Sequence, residues 1–193
     1  TLFRSITAGN TATFNVTFSP TSLGAQTSTI TINNDDCDEA VYDFQVSGTG
    51  VDKYKFLGTT NTDWATASNW SAGVVPTTAL LISGDIVTID ASCVMPIGVN
   101  IIFPSGTSLV VNSGKTLAAG LSAAITINSG AQFTVNGSYS QGHVTNSGII
   151  DVYGSYTAFY FTNLSGGVMN VKTGGSYSCP ACAESIQSGS FRS

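Results

Sequence analysis

Cys179-Pro180-Ala181-Cys182 puts two thiols three residues apart, the spacing at which a chain can exchange disulfides, hold zinc or close a small loop. Exchange chemistry needs a helix N-terminus behind a strand to lower a thiol pKa, and no such α/β context surrounds this stretch. A zinc site needs a second pair of ligands. The other cysteines, Cys37 and Cys93, stand alone, and the chain has one histidine, His143. A structural disulfide or turn at Cys179–Cys182 is therefore expected. Four cysteines allow three pairings. The expectation is a local Cys179–Cys182 loop with a longer Cys37–Cys93 bridge, and free buried thiols are the alternative.

The densest acidic cluster is NNDDCDEA, residues 33–40. Asp35, Asp36, Asp38 and Glu39 are close enough to hold calcium, the one cofactor the sequence suggests. They lack the spaced aspartates and the turn glycine of an EF-hand loop, so a solvated hairpin loop is the plainer reading. Trp64 and Trp70 form a pair that either stacks on sugars or caps an apolar core; the cap is the expectation. A lone His143 beside Gly142 reads as a turn residue, because a single histidine builds no Ser–His–Asp set. Between residues 105 and 175 the only acidic residue is Asp151, whereas polysaccharide cleavage needs converging carboxylates. The sequence thus predicts no catalytic residues. Asn15, Asn69, Asn136 and Asn163 each open an N-x-S/T triplet, which a chain this rich in Asn, Ser and Thr produces by chance.

The composition carries the same message. Of 193 residues only 9% are Asp, Glu, Lys or Arg, and 42% are hydrophobic. Disorder needs more charge and fewer apolar residues. With net charge −5 and six Lys plus Arg, the chain cannot build the basic patch that binds nucleic-acid phosphates. No apolar run approaches the length of a membrane span. An even cysteine count with so little charge suits a secreted protein. The opening TLFRSITAGN has mid-domain character, which predicts a processed or partial piece of something longer.

Residues 1–50 read as antiparallel strands. Phe14, Val16 and Phe18 alternate with polar residues, as do Ile30 and Ile32, and Tyr42, Phe44 and Val46. The series F-x-V-x-F-x-P, G, I-x-I-x-N-D and Y-x-F-x-V-x-G-T-G resembles the end of the immunoglobulin-like domains called choice-of-anchor D or hydin-like, found in large secreted bacterial proteins, many from Bacteroidota. The resemblance implies an Ig-like β-sandwich of which only the last strands are present. Upstream sequence or a neighbouring subunit would then supply the missing ones. Residues 51–78 form a junction or cap whose W-x5-N-W-S-x-G-x-x-P pattern resembles the opening of repeat regions in secreted bacterial β-helix proteins.

From residue 79 to 178 the chain repeats itself. Asn-Ser-Gly stands at 112–114, 128–130 and 146–148, with a looser copy at 163–166, and Asn112, Asn128, Asn146 and Asn163 are 16, 18 and 17 residues apart. A fixed period with strand-like alternation predicts a parallel β-helix, or β-solenoid. The expectation is about six coils, each of two half-coils of about eight residues, in a rod on the order of 30 Å long. Leu109, Val111, Ile125, Ile127, Phe133, Val135, Ile150, Val152, Met169 and Val171 should face inward, with the asparagines stacked at one corner. Residues 179–193 end the region or begin the next unit.

The sequence therefore predicts an all-β chain: a partial Ig-like β-sandwich followed by a parallel β-solenoid. The role it suggests is a non-catalytic, extracellular, structural and adhesive part of a large surface adhesin or filament. Self-association into fibres or strand donation between subunits are the expected partnerships. The alternative is a glycan-binding module of a secreted polysaccharide-active protein, with Trp64, Trp70 and the tyrosines Tyr139, Tyr153 and Tyr156 as its platform.

Overall fold

Most segments that alternate in the sequence become strands; the Phe14, Val16 and Phe18 segment, expected to be one, does not. A computed structural model describes residues 10, 11, 13–18, 24–33, 41–50, 52–182 and 190–192. Among them the chain is almost wholly β, with two short 3-10 turns at Ala67–Asn69 and Thr78–Leu80. It divides into two compact units, Thr1–Val51 and Asp52–Ser193.

In the first unit β1 (Gly24–Asn33) pairs antiparallel with β2 (Val41–Gly50). Ile30 lies opposite Phe44 and Ile32 opposite Tyr42, so the alternating apolar residues share one face. All described residues here stay at least partly exposed, Phe14 and Tyr42 by about half. Two strands make one layer, and an apolar face is buried only by a second. Cys37 and the calcium candidates Asp35, Asp36, Asp38 and Glu39 lie outside the described residues.

The second unit is built on two parallel sheets whose strands alternate along the chain. One sheet, here called face B, runs through β3 (Tyr54–Phe56), β4 (Ile86–Ile89), β7 (Ser108–Val111), β9 (Gln132–Val135), β11 (Ile149–Val152), β14 (Val168–Val171) and β16 (Ser190–Arg192). The other, face C, is bent. Its first half runs through β5 (Cys93–Met95), β8 (Thr116–Ile127), β10 (Ser138–Asn146), β12 (Ser155–Thr157) and β15 (Ser176–Ser178). The second halves of β8 and β10 pair instead with β6 (Asn100–Phe103) and β13 (Tyr160–Asn163). Each turn of chain thus lays a strand directly over its predecessor.

The register makes columns of like residues. Tyr54, Val87, Leu109, Phe133, Ile150 and Met169 form one inward column, all buried. Phe56, Ile89, Val111, Val135 and Val152 form the next. Val171 continues that column but is only half-buried. Each fully buried aliphatic or aromatic side chain contributes roughly 1.5–3 kcal/mol, and it reaches that burial only against the levels above and below.

Three expectations change. First, a level holds three strand segments, not two half-coils, because face C bends within β8 and β10. The bend in β10 uses positive φ at Gln141 and Gly142, and the one in β8 sets Gly120 against the backbone of Ile97, where a Cβ would come within 2.9 Å of its nitrogen. Second, levels are unequal: register partners Ile86, Ser108, Gln132, Ile149 and Val168 are 22, 24, 17 and 19 residues apart. Five levels, not six, therefore fill the segment. Third, the Asn-Ser-Gly copies mark two different corners. Asn112 follows β7, on the way from face B to face C, whereas Asn128, Asn146 and Asn163 lie where face C returns to face B. Only Asn146 and Asn163 are register partners; Asn146 lies over Ile127.

Residues 52–82 close the lower end. Beneath the first full level lie β3 under β4, Asp63 bridged to Val94 of β5, and Thr78, whose Oγ1 accepts a hydrogen bond from the Ile102 N–H of β6 at 2.8 Å. Each strand segment of that level has a lower neighbour.

Candidate functional site

The junction turns its large side chains inward. Trp64 and Trp70 are buried, edge to face with ring centroids 4.7 Å apart, and Trp70 meets Phe56 the same way at 5.1 Å. Trp70 Nε1 donates to the Trp64 carbonyl at 2.8 Å. Asn69, also buried, is fully satisfied: its Oδ1 accepts from the Thr60 and Asn61 backbone N–H groups, and its Nδ2 donates to Asn61 Oδ1 and the Asp63 carbonyl. With both indoles enclosed, the alternative of a stacking platform at Trp64 and Trp70 is not available to a sugar. They cap the core.

Two of the three tyrosines assigned to that platform are also core residues. Tyr139 and Tyr156 are register partners, buried, with centroids 5.0 Å apart, and Tyr177 stacks on Tyr156 at 5.8 Å. Their serine and threonine neighbours take the outward positions, so alternation sends the rings inside. Burial pushes both phenols well up, and neither hydroxyl has a hydrogen-bond partner in the protein. Tyr153 is half exposed at a corner of face B.

Cys179 and Cys182 form the expected local disulfide. It lies over β13, and the Phe161 N–H donates to Cys182 Sγ at 3.2 Å. Cys93 is a free, buried thiol at the start of the Leu117–Tyr139–Tyr156 column, and Cys37, its expected partner, lies outside the described residues. Burial, and then the Asp63 charge, push its thiol far above the usual range.

The described ion pairs all lie on one side. Lys53–Asp85, Lys55–Asp90 and Lys172–Asp151 pair at 3.5, 3.0 and 3.1 Å, all on face B or at the ends of its strands. Asp151 is the most heavily bonded: Gln132 Nε2 donates to Oδ2, and Asn170 Nδ2 to Oδ1, from the strands on either side. Desolvation raises its carboxyl, but hydrogen bonds from Asn170, Lys172 and Gln132 outweigh that and hold it below the usual range. Asp90 is held low by hydrogen bonds from Asn112 and Lys55. Both acids stitch neighbouring levels together. Among the described residues no three His, Cys, Asp or Glu side chains converge on a metal-sized site.

Face C is different. Its strands contain no Asp, Glu, Lys or Arg. Ser-Tyr-Ser at 138–140, Ser-Tyr-Thr at 155–157 and Ser-Tyr-Ser at 176–178 stack in exact register, each tyrosine inward and each hydroxyl pair outward. Strand spacing sets these hydroxyls about 4.8 Å apart along the stack and about 6.6 Å apart along each strand. Beside them the bend carries an exposed ridge. His143 stacks on Phe159 with centroids 6.2 Å apart and meets Tyr160 edge-on at 4.8 Å. Phe159 and Tyr160 are 37% and 47% exposed, and Ile97 and Leu121 lie lower on the same bend, more exposed still. Such a surface offers neutral hydroxyl donors and acceptors next to ring faces. Residue types alone do not single it out. Its signal was the thrice-repeated Ser-Tyr-Ser/Thr tripeptide, which alternation alone resolves into core tyrosine and surface hydroxyls.

Set against protein-family models, curated proteins and solved structures, the chain matches none of them. No helix among the described residues is long and apolar enough to cross a membrane.

Proposed function

We propose that the chain is a non-catalytic segment of an extracellular structural and adhesive protein, in which residues 52–193 form a short β-solenoid stalk and residues 10–50 the last strands of an Ig-like unit. The observation that carries this reading is the register-matched stack, in which each level is too thin to bury its own side chains and the whole persists as a column. In a column of this kind each repeat contacts only its neighbours, so the structure extends along one axis, as a stalk requires. The Cys179–Cys182 disulfide and the low charge support an oxidising, extracellular setting. The sequence likeness of residues 10–50 to choice-of-anchor D domains supports the Ig-like assignment. The half-exposed Phe14 and Tyr42 support its completion by further strands, from upstream or from a neighbouring subunit.

The test is location and attachment. Antibodies against residues 52–193 should label intact cells of the source organism. Deleting the segment should reduce attachment to surfaces without slowing growth on polysaccharides. An intracellular protein, or a purified chain that cleaves polysaccharide, overturns the reading. The alternative of a glycan-binding module attached to a polysaccharide-active protein draws support from face C alone, since Trp64 and Trp70 are enclosed.

A further inference from the structure

We infer that the bent face C is a docking surface for a neutral, unbranched β-linked polysaccharide presented as a flat ribbon or sheet; this rests on the adhesive reading and names the ligand class. Three independent features converge on it. The first is charge: every described ion pair lies on face B or at the ends of its strands, and the strands of face C contain no Asp, Glu, Lys or Arg. A neutral surface has nothing to offer an anionic polymer, nucleic acid included, and nothing to lose by covering a neutral one. The second is the hydroxyl lattice of Ser138, Ser140, Ser155, Thr157, Ser176 and Ser178, in register over three levels. A polymer whose own hydroxyls recur along an extended chain can exchange hydrogen bonds with successive levels, so weak contacts add along its length. The third is the ridge of Phe159 and Tyr160, held against each other at 4.8 Å and braced by His143. An extended β-linked ribbon shows C–H groups on its flat faces and hydroxyls on its edges. The ridge suits the faces and the lattice suits the edges. A flat sheet with a ridge, as opposed to a closed pocket, selects a long surface over a short free sugar.

The experiment uses the full chain and powdered cellulose and chitin as probes. The protein is expected to be retained on at least one powder and to stay bound in high salt, because no charge carries the contact. Phe159→Ala with Tyr160→Ala should reduce retention on the order of tenfold. Ser155→Lys, which places a charge in the lattice at an exposed position, should do the same, while Thr134→Lys on face B should leave retention unchanged. Each variant is checked for an unchanged unfolding midpoint, and the exposed Ser155→Lys keeps the test open if the double variant misfolds. The proposal is overturned if neither powder retains the protein, if the face C variants bind like the parent, or if face C variants abolish self-association and nothing else. The last result would make the face a contact between copies. Cell-surface labelling is unaffected by any of these outcomes, so the adhesive reading fails or survives separately.

Discussion

Asn146 and Asn163 sit one above the other inside the protein, the Nδ2 of Asn146 donating to the Oδ1 of Asn163 at 2.8 Å. Asn146 also accepts the Gly148 N–H and donates to the Val168 carbonyl, and Asn163 donates to the Gly167 carbonyl. The pair therefore supplies the backbone partners that a buried corner needs. Asn146→Leu should leave several buried polar groups without a partner and lower stability by about 2–3 kcal/mol. Asn128→Ala, the exposed copy of the same triplet, should cost less than about 0.5 kcal/mol. Urea unfolding midpoints measure both. Equal effects would remove the distinction between the two sites.

Gly154 is fixed by the level beneath it. A Cβ built there would come 1.9 Å from the Gly137 carbonyl oxygen, a backbone atom that cannot swing aside. Gly154→Ala should lower stability by about 1–3 kcal/mol through forced separation of the two corners. A thermal midpoint unchanged from the parent would show that the corners are looser than the register implies.

The enclosed indoles predict a stability effect where a platform predicts a binding effect. Trp64→Ala and Trp70→Ala should each cost about 3–5 kcal/mol in chemical unfolding. A variant as stable as the parent would mean that the cap does not close the core.

Tyr156 places a hydroxyl in the core without a protein partner. Tyr156→Phe keeps the ring stack and removes the polar atom, so it should be neutral or stabilise by up to about 1–2 kcal/mol. A loss of more than about 1 kcal/mol on calorimetric unfolding would show that the hydroxyl is satisfied in solution.

Acid should loosen the ladder on face B. Asp90 and Asp151 have folded pKa values below their ordinary ones. Such groups stabilise the fold above the unfolded carboxylate pKa of about 4, and that contribution disappears as pH falls through the lower folded values. Unfolding measured from pH 6 to pH 2 should therefore show a decline below about pH 4, part of it removed in Asp151→Asn. The Asp151 share should be on the order of 1 kcal/mol, because the group is partly solvated. An identical pH profile in Asp151→Asn would refute the assignment.

Much of the β architecture was legible in the sequence, because a period of two needs no knowledge of neighbours. Leu109, Phe133 and Ile150 could be placed inward from alternation alone, and they stack in register. The level length was not legible. Asn112 and Asn128 are 16 residues apart and look like successive copies, yet both belong to the level that starts at Ser108. Distinguishing their corners requires knowing that β8 bends midway, and Gly120 signals that bend only once Ile97 is known to lie beneath it. The fate of Trp64 and Trp70 was likewise a matter of three dimensions, since enclosure depends on Phe56 and on a strand thirty residues away. The inward turn of Tyr139 and Tyr156 was legible too, because the same alternation that places Phe133 inward applies to Ser-Tyr-Ser.

The unequal levels have a mechanical consequence. Strands in this column are joined by hydrogen bonds that run along its axis, so tension applied across residues 52 and 192 peels one turn at a time instead of shearing the sheets as a block. Each turn released would pay out about 3.5 Å per residue, and turns of 17 to 24 residues would lengthen the tether in steps of about 60–85 Å. Under load the molecule would behave as a ratcheted shock absorber whose step sizes are written in its corner lengths.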